Sequence, residues 1–318
     1  MKVIEHIAQS KKTLFSFEIL PPLKGQSIKS LFDGIDPLME FKPSFIDVTY
    51  HREEFVYKNR GNGLLEKQSI RKRPGTVGIS AAIMNRYHID AVPHIICGGF
   101  TREETENALI DLDFLGIDNV LALRGDPIKS EVRFVAEPNG HQYATELISQ
   151  IVNMNSGTYI DNELPHPTAT NFCIGVAAYP EKHFEAPSLD FDMRYLKKKV
   201  ELGGEYVVTQ LFYDNKKFFE FVRLCREVYD IQVPIIPGLK PITTKKQLTT
   251  IPRSFFIDLP DDLVKALEKA QTDAAVRQIG IEWCVQQSKE LMDFGVPCLH
   301  YYSMSKSTAV KEVAESLF

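Results

Sequence analysis

The sequence lacks several features that would place it in a specialised class of protein. No apolar run reaches the roughly 18 residues that a membrane-spanning helix needs. The N-terminus, MKVIEHIAQSKK, has no apolar core of the kind found in signal peptides. Acidic side chains outnumber basic ones by 42 to 37, so the basic surplus typical of nucleic-acid-binding proteins is absent. We therefore expect a cytoplasmic protein that binds neither membranes nor nucleic acid.

The cysteines are too few and too scattered to form a disulfide framework or a zinc site. They are Cys97, Cys173, Cys225, Cys284 and Cys298, and no CxxC pair occurs, so reduced thiols are expected. The sequence also lacks the HExxH, GxSxG and GxxxxGK[ST] motifs. The segment GNGLLE at 61–66 lacks the third glycine of the GxGxxG fingerprint. We expect neither a bound metal nor a Rossmann-type cofactor site.

Eight short β-rich runs alternate with amphipathic stretches along the 318 residues. The runs lie at 14–20, 45–50, 91–97, 119–126, 172–180, 206–213, 233–239 and 298–304. Helices are predicted between them, for example over 101–115, 190–202 and 215–229, and the first of these begins with TREE, a cap residue followed by acids. This alternation predicts an α/β protein with a (β/α)8 TIM barrel, and a doubly wound open sheet is the structural alternative.

A single domain is predicted over residues 1–318, because no linker, internal repeat or low-complexity tract interrupts the alternation. Residues 151–171 are polar and rich in proline and asparagine, so we expect a long surface loop there. The stretch 251–297 is too long for one connection and should contain an extra helix around 261–270. We expect no second, regulatory domain.

The first predicted strand carries a carboxylate near its end, where a TIM barrel places its active site. Phe15, Phe17 and Ile19 share the face that should pack under helices, while Ser16 and Glu18 share the other face. Burying a carboxylate is costly unless it has a role or a partner. Glu18 is therefore either a general acid with a raised pKa or a member of a structural ion pair.

Polar side chains stand at the ends of most of the other predicted strands. They are Asp47, Thr49, Tyr50, His94, Arg124, Asp126, Tyr179, His183, Gln210, His300 and Tyr302. Taken singly, His94 could be a core histidine with ordinary hydrogen-bond partners, and Tyr179 and Tyr302 could simply close the barrel mouth. Lys197 and Lys198 are interpreted as a solvated helix face. Taken together, the rim favours a large planar ligand with phosphates, which Gly125 would let approach the backbone closely.

Seven segments, in order along the chain, carry a resemblance to a known family. They are SFEILPP (16–22), DVTY (47–50), PHIIC (93–97), ALRGDP (122–127), VAAYPEKH (176–183), TQLFYD (209–214) and IIPGLKP (235–241). This ordered set resembles the methylenetetrahydrofolate reductase family over essentially the whole chain, in its bacterial, catalytic-domain-only form. The resemblance implies a TIM barrel that holds FAD non-covalently. It also implies reduction of 5,10-methylenetetrahydrofolate to 5-methyltetrahydrofolate by NADH or NADPH, in a ping-pong reaction that supplies methyl groups for methionine synthesis.

The resemblance also implies roles for individual residues. Glu18 corresponds to the acid that protonates the folate nitrogen, and Asp126 to an aspartate beside the flavin pyrimidine ring that also contacts the pterin. The negative charge of Asp126 is expected to lower the flavin potential. Gln210, Tyr302 and Lys306 correspond to substrate-binding positions, with Lys306 where an arginine is usual. FAD contacts are implied for Thr49, Tyr50, His94, Leu123, Arg124, Gly125, Asp126, Tyr143, Ala144, Ala178, Tyr179, His183, Asp192 and Lys199.

Several alternatives remain open at the level of the sequence. A pterin-binding methyltransferase without flavin and a non-catalytic folate- or flavin-binding subunit are the rival functions. NADH is the expected donor, and NADPH or reduced ferredoxin are the alternatives. A homo-oligomer is expected because family members are commonly dimers or tetramers. With a net charge of −5, the protein would hold its anionic ligands through placed cations such as Arg124, His183 and Lys199, and the folate tail through Lys306 or residues of the 240–253 segment.

Overall fold

The computed structural model describes residues 1–70, 73–128, 131–304 and 306–318, in which strands alternate with helices. The strands are β1 (Leu14–Ile19), β2 (Phe45–Val48), β3 (Glu54–Asn59), β4 (Leu65–Ile70), β5 (Asp90–Ile96), β6 (Asn119–Leu123), β7 (Cys173–Ala178), β8 (Tyr206–Thr209), β9 (Ile235–Ile236), β10 (Gly238–Leu239) and β11 (Cys298–Met304). The helices are α1 (Val3–Gln9), α2 (Lys29–Ile35), α3 (Thr76–Tyr87), α4 (Arg102–Phe114), α5 (Ala144–Asn155), α6 (Leu189–Glu201), α7 (Asn215–Arg223), α8 (Gln247–Phe255), α9 (Asp261–Lys269), α10 (Asp273–Phe294) and α11 (Thr308–Glu315). None of the helices in these ranges combines the length and the apolar composition needed to cross a membrane.

Nine strands of the described residues form one parallel sheet that bends into a nearly closed barrel, in the order β10-β11-β1-β2-β5-β6-β7-β8-β9. The two end strands are consecutive in the chain and separated only by Pro237, which has no N–H to continue a ladder. One of them pairs with β8 and the other with β11. The strand predicted at 233–239 is therefore interrupted at the seam of the barrel. The TIM-barrel prediction is confirmed, and the open-sheet alternative is wrong.

The predicted alternation along β1 is confirmed. Phe15, Phe17 and Ile19 are buried in the large apolar cluster that includes residues of the surrounding helices. Ser16 and Glu18 are buried as well, on the other face, inside the barrel. The first strand therefore presents its one carboxylate to the barrel interior near the end where the strand leads into the rim loops.

The barrel interior has an apolar floor. At the end where the strands begin, Val3 of α1 joins a buried cluster with inward side chains such as Phe45 and Tyr206. The amide of Val3 donates to Oδ1 of Asn119 at 2.8 Å, which attaches α1 beneath the barrel. With its lower end closed in this way, the barrel opens at the end that carries the predicted site.

Two stretches of chain differ from the prediction. Helix α5 extends through Asn155 because Ile148, Ile151 and Met154 continue its buried face at helical spacing, so the loop expected over 151–171 is wrong for its first five residues. The segment GNGLLE forms the turn and the first residues of β4 in an antiparallel hairpin of β3 and β4 that the sequence did not predict. Gly61 and Gly63 have positive φ there, which explains their place in a tight turn.

Gly280 in α10 lies against the backbone of the segment after β10. A Cβ added at Gly280 would stand 1.9 Å from the carbonyl oxygen of Ile242, and a backbone atom cannot rotate away. We expect Gly280→Ala to lower the free energy of unfolding by about 2 kcal/mol, because the helix must shift to relieve the overlap. Urea denaturation measures the change.

The matched control for that variant is Gly78→Ala in α3. No atom of the described residues lies within 4 Å of a Cβ added at Gly78, so alanine there should stabilise the protein by up to about 1 kcal/mol. If Gly280→Ala were as stable as the parent protein, the close packing of α10 on the barrel would be contradicted.

Candidate active site

Four ionisable side chains meet inside the upper barrel, each from a different strand. They are Glu18 of β1, Asp47 of β2, His94 of β5 and His300 of β11, with exposed fractions of 8%, 0%, 4% and 0%. The Nε2 atom of His94 lies 3.5 Å from Oε2 of Glu18 and 3.4 Å from Oδ2 of Asp47. The Nδ1 atom of His300 is 2.9 Å from Oγ of Ser16. These four side chains form a polar layer inside the barrel, above the apolar floor.

Burial dominates the electrostatics of this layer. It raises the pKa of Glu18, and the nearby Asp47 raises it further, while His94 acts in the opposite direction. Burial lowers the pKa of His94, against the effect of Glu18. Both shifts oppose the charged Glu18–His94 pair that a purely structural role would need. The environment of Glu18 is the one that a general acid requires.

The backbone around Glu18 is fixed by hydroxyl groups from neighbouring strands. Oγ of Ser303 donates to the carbonyl oxygen of Glu18 at 2.7 Å, and Oγ1 of Thr49 donates to the carbonyl oxygen of Ile19 at 2.9 Å. The register of β1 against β11 shifts between Glu18 and Ile19, so the strand is irregular at this point. These contacts hold the carboxyl group at the barrel mouth.

Tyr302 and Lys240 form the neighbouring side of the mouth. The Tyr302 hydroxyl donates to the carbonyl oxygen of Thr209 at 2.6 Å, and Nζ of Lys240 donates to the carbonyl oxygen of Tyr302 at 3.2 Å. Lys240 lies close enough to Glu18 for their charges to interact. Of the cations expected to attract a folate tail, Lys240 therefore lies inside the mouth, whereas Lys306 is exposed beyond β11.

The loop after β6 places a cation and a carboxylate at the rim. Gly125 has φ +84, and a Cβ there would lie 3.3 Å from Ile96, so the turn favours glycine. On one side of it, Arg124 pairs with Glu185 at 2.5 Å and lies over the ring of Phe134. On the other side, Asp126 is exposed.

Helix α6 and the loop before it supply further donors. Nζ of Lys199 donates to the carbonyl oxygen of Ala177 at 2.9 Å, and the backbone N–H of His183 donates to Oδ2 of Asp192 at 2.8 Å. The rings of Tyr179 and His183 meet edge to face, with centroids 4.7 Å apart. Burial lowers the pKa of Lys199, and Arg124 lowers it as well, against the effect of Asp192. An anionic ligand beside Lys199 would therefore stabilise its charged form.

The predicted site residues thus form two groups. Glu18, Thr49, His94 and Tyr302 lie in or beside the polar layer. The second group lies on the rim of β6 and β7 and comprises Arg124, Asp126, Tyr179, His183, Asp192 and Lys199. The others occupy strand ends or the start of a helix. Tyr50 follows β2 and packs beside Phe100, Leu123 and Ala178 end β6 and β7, Gln210 follows β8, and Tyr143 and Ala144 stand at the start of α5.

Three polar residues had no role assigned from the sequence. Asp47 and His300 were noticed only as strand-end residues, and Glu185, which pairs with Arg124, was not noticed. The period-2 alternation could have placed Asp47 on the inward face, because Ile46 and Val48 on either side of it belong to the cluster under the helices, whereas Phe45 faces the interior. No local signal marks Glu185, because its partner lies 61 residues earlier, at Arg124. Among the described residues, no group of three or more His, Cys, Asp or Glu side chains is arranged to hold a metal ion.

The family model described as methylenetetrahydrofolate reductase matches residues 3–318. The Arabidopsis thaliana protein named methylenetetrahydrofolate reductase (NADH) 1 is 32% identical, over 96% of this chain and 49% of its own length. The Saccharomyces cerevisiae methylenetetrahydrofolate reductase 2 is also 32% identical, over 100% of this chain and 50% of its own length. The Escherichia coli 5,10-methylenetetrahydrofolate reductase is 28% identical, over 95% of this chain and 90% of its own. The chain spans about half the length of the plant and yeast relatives.

Solved structures share the barrel at lower sequence identity. An uncharacterised protein from Clostridium thermocellum, described as binding two copies of 5-methyl-5,6,7,8-tetrahydrofolic acid, has a TM-score of 0.60 at 16% identity, over 99% of this chain and 97% of its own. A 2,3-dimethylmalate lyase has a TM-score of 0.50 at 6% identity, over 94% of this chain and 77% of its own. Since proteins of different chemistry share this architecture, the structural likeness shows the fold alone.

Proposed function

Because this chain belongs to the methylenetetrahydrofolate reductase family, we propose that it reduces 5,10-methylenetetrahydrofolate to 5-methyltetrahydrofolate, using FAD and a reduced nicotinamide. The observation that carries the proposal is the buried carboxyl group of Glu18 at the barrel mouth, with a pKa raised by burial. Opening the methylene bridge requires a proton near neutral pH, and an acid with a raised pKa can hold one there. A folate substrate for this chain agrees with the description of the Clostridium thermocellum protein as binding 5-methyl-5,6,7,8-tetrahydrofolic acid.

The rim residues fit FAD by their chemistry. Arg124, His183 and Lys199 bring cationic or hydrogen-bonding groups to one side of the mouth, as an anionic diphosphate needs. Gly125, between Arg124 and Asp126, has no side chain to cover the backbone of this turn. Bound there, FAD would carry hydride from the nicotinamide to the folate. Arg124 would exchange its ion pair with Glu185 for the phosphates.

The protein's own part in the reaction is to position the ligands and to supply one proton. We assign Glu18 as the group that protonates the folate nitrogen, and Asp126 as the charge that disfavours a negative flavin ring and so lowers its potential. Gln210, Tyr302 and Lys306 are assigned to the folate. The exposed position of Lys306 suits contact with the solvent-facing tail of that substrate.

The physiological setting is part of the same proposal. We propose a cytoplasmic homo-oligomer that works in ping-pong fashion, with NADH as the preferred donor, and that supplies methyl groups for methionine synthesis. We also propose that residues 1–318 act as one catalytic domain. Light scattering of the purified chain measures the oligomeric state.

The decisive experiment follows the flavin of the purified chain. The protein should be yellow, and anaerobic stopped-flow mixing with NADH and NADPH in parallel should bleach the flavin, faster with NADH. Adding 5,10-methylenetetrahydrofolate should then restore the oxidised spectrum and yield 5-methyltetrahydrofolate. A colourless protein that cannot take up FAD would overturn the proposal. Flavin binding without either half-reaction would point instead to a non-catalytic subunit.

A further inference from the structure

Asp47 is a buried carboxyl group that the proposed function leaves without a role. Its side chain is fully buried in the upper barrel, and neither of its carboxyl oxygens has a hydrogen-bond partner among the described residues. Most buried polar groups in proteins have such partners, because an unpaired carboxylate is costly to remove from water. Packing alone therefore does not account for Asp47.

His94 connects Asp47 to Glu18. Its Nε2 atom lies 3.4 Å from one carboxyl group and 3.5 Å from the other, and it has no hydrogen-bond partner in the described part of the chain. One ring nitrogen carries at most one hydrogen, so it cannot make a full hydrogen bond to each of two carboxylates at once. Two carboxyl groups in one buried site ionise in separate steps, because the first charge opposes the second. Two carboxyl groups that approach the same imidazole nitrogen are therefore suited to keeping one proton between them.

The surroundings favour the charge on Asp47 and the proton on Glu18. Burial raises the pKa of Asp47 to about 6, with His300 opposing the rise. Burial also raises the pKa of Glu18, and the charge of Asp47 adds to that effect, against His94 and Lys240. The negative charge of Asp47 therefore opposes the ionisation of Glu18.

The other ionisable groups that face Asp47 do not take over the proton that Asp47 and Glu18 share. Besides Glu18 and His94, they are Tyr206 of β8 and Cys298, His300 and Tyr302 of β11. Burial raises the pKa of Cys298 to about 12 and that of both tyrosines well above the ordinary value, so all three stay neutral near pH 7. Burial lowers the pKa values of both histidines.

We propose that Asp47 is the positioning residue that keeps Glu18 protonated: the two carboxyl groups hold one proton across His94, and the negative charge of Asp47 confines it to Glu18. The use of that proton on folate rests on the proposed function, whereas the shared proton is a property of the barrel interior. When Glu18 has given its proton to the folate nitrogen, two like charges face each other, and Glu18 recovers a proton from solvent.

The kinetic test compares Asp47→Asn with the parent protein in both half-reactions. Flavin reduction by NADH should be unchanged. In the folate half-reaction, the falling limb of the pH profile should move to lower pH by about one unit. At a pH above that limb the rate should be about tenfold lower than in the parent protein, and it should recover as the pH is lowered. Tyr206→Phe changes the same interior without removing a charge and should leave the profile in place.

An infrared titration tests the shared proton without any substrate. With isotope-labelled glutamate, the protonated carboxyl band that persists to higher pH should belong to glutamate, should disappear in Glu18→Gln, and should titrate at lower pH in Asp47→Asn. If Asp47→Asn does not fold, the infrared titration of Glu18→Gln still tests the proposal. Only the ionisation of Asp47, near pH 6, should remain in that variant.

Three outcomes separate the two proposals. A persistent band from aspartate, or an unchanged glutamate titration and pH profile in Asp47→Asn, overturns the role of Asp47. A parent protein that shows the predicted infrared titration but no folate reduction contradicts the proposed function and leaves the shared proton intact. The predicted infrared shift together with the displaced pH profile supports both.

Discussion

Replacing Glu18 with glutamine is expected to abolish folate reduction while leaving FAD binding and reduction by nicotinamide intact. Glutamine has nearly the shape of the protonated carboxyl group, so the contacts that fix the backbone, such as the hydrogen bond from Ser303, should persist. It has no acidic proton, however, and loss of a general acid typically costs 10²-fold or more in rate. Anaerobic stopped-flow measurement of each half-reaction separates the two effects.

The control for this variant is Glu181→Gln. Glu181 follows β7 on the same rim and is held by Lys217 at 2.5 Å and by the amide of Asp258 at 3.1 Å. Its replacement should lower stability without slowing the folate half-reaction. Ordinary folate turnover in Glu18→Gln would mean that Glu18 serves the structure of the polar layer and that the acid lies elsewhere.

Replacing Lys199 with methionine is expected to weaken FAD binding by about 10- to 100-fold. Methionine keeps the unbranched shape of the side chain but removes the charge. A hydrogen bond to a charged group contributes about 1.5–3 kcal/mol, and each 1.4 kcal/mol is about tenfold in affinity. Lys199 is held beside the rim by the carbonyl oxygen of Ala177, so little entropy is lost when it meets a phosphate. Titrating the apoprotein with FAD and following flavin fluorescence measures the change.

Lys198→Met is the matched control, since it makes the same charge change one residue earlier. Lys198 is exposed, and its amine lies 6.0 Å from the ring centre of Tyr195, on the outer part of α6. FAD affinity should stay close to that of the parent protein. Equal losses in both variants would indicate attraction by the overall field of the protein, and no loss in either would assign Lys199 to the packing of α6 on β7.

Some of the fold could be predicted because it depends on local pattern. Alternation with a period of two assigned Phe15 and Phe17 to the helix side of β1 and Glu18 to the interior, as the structure confirms. Composition misled the prediction at 151–155, where the buried face of α5 continues into a polar stretch. The hairpin of β3 and β4 was missed because its outward apolar residues, among them Tyr57 and Leu65, pack against no core.

The sequence by itself determined the eight-fold strand–helix alternation, the family, and the residue types along each strand. Only the tertiary structure decided which of those residues meet. Asp47, His94 and His300 are far apart in the chain, and they share one polar layer because barrel closure sets the stagger of neighbouring strands. Their pKa shifts arise from burial in that layer, which no short segment determines. Local pattern fixes the direction in which a side chain points, whereas its partners and its charge depend on the closed barrel.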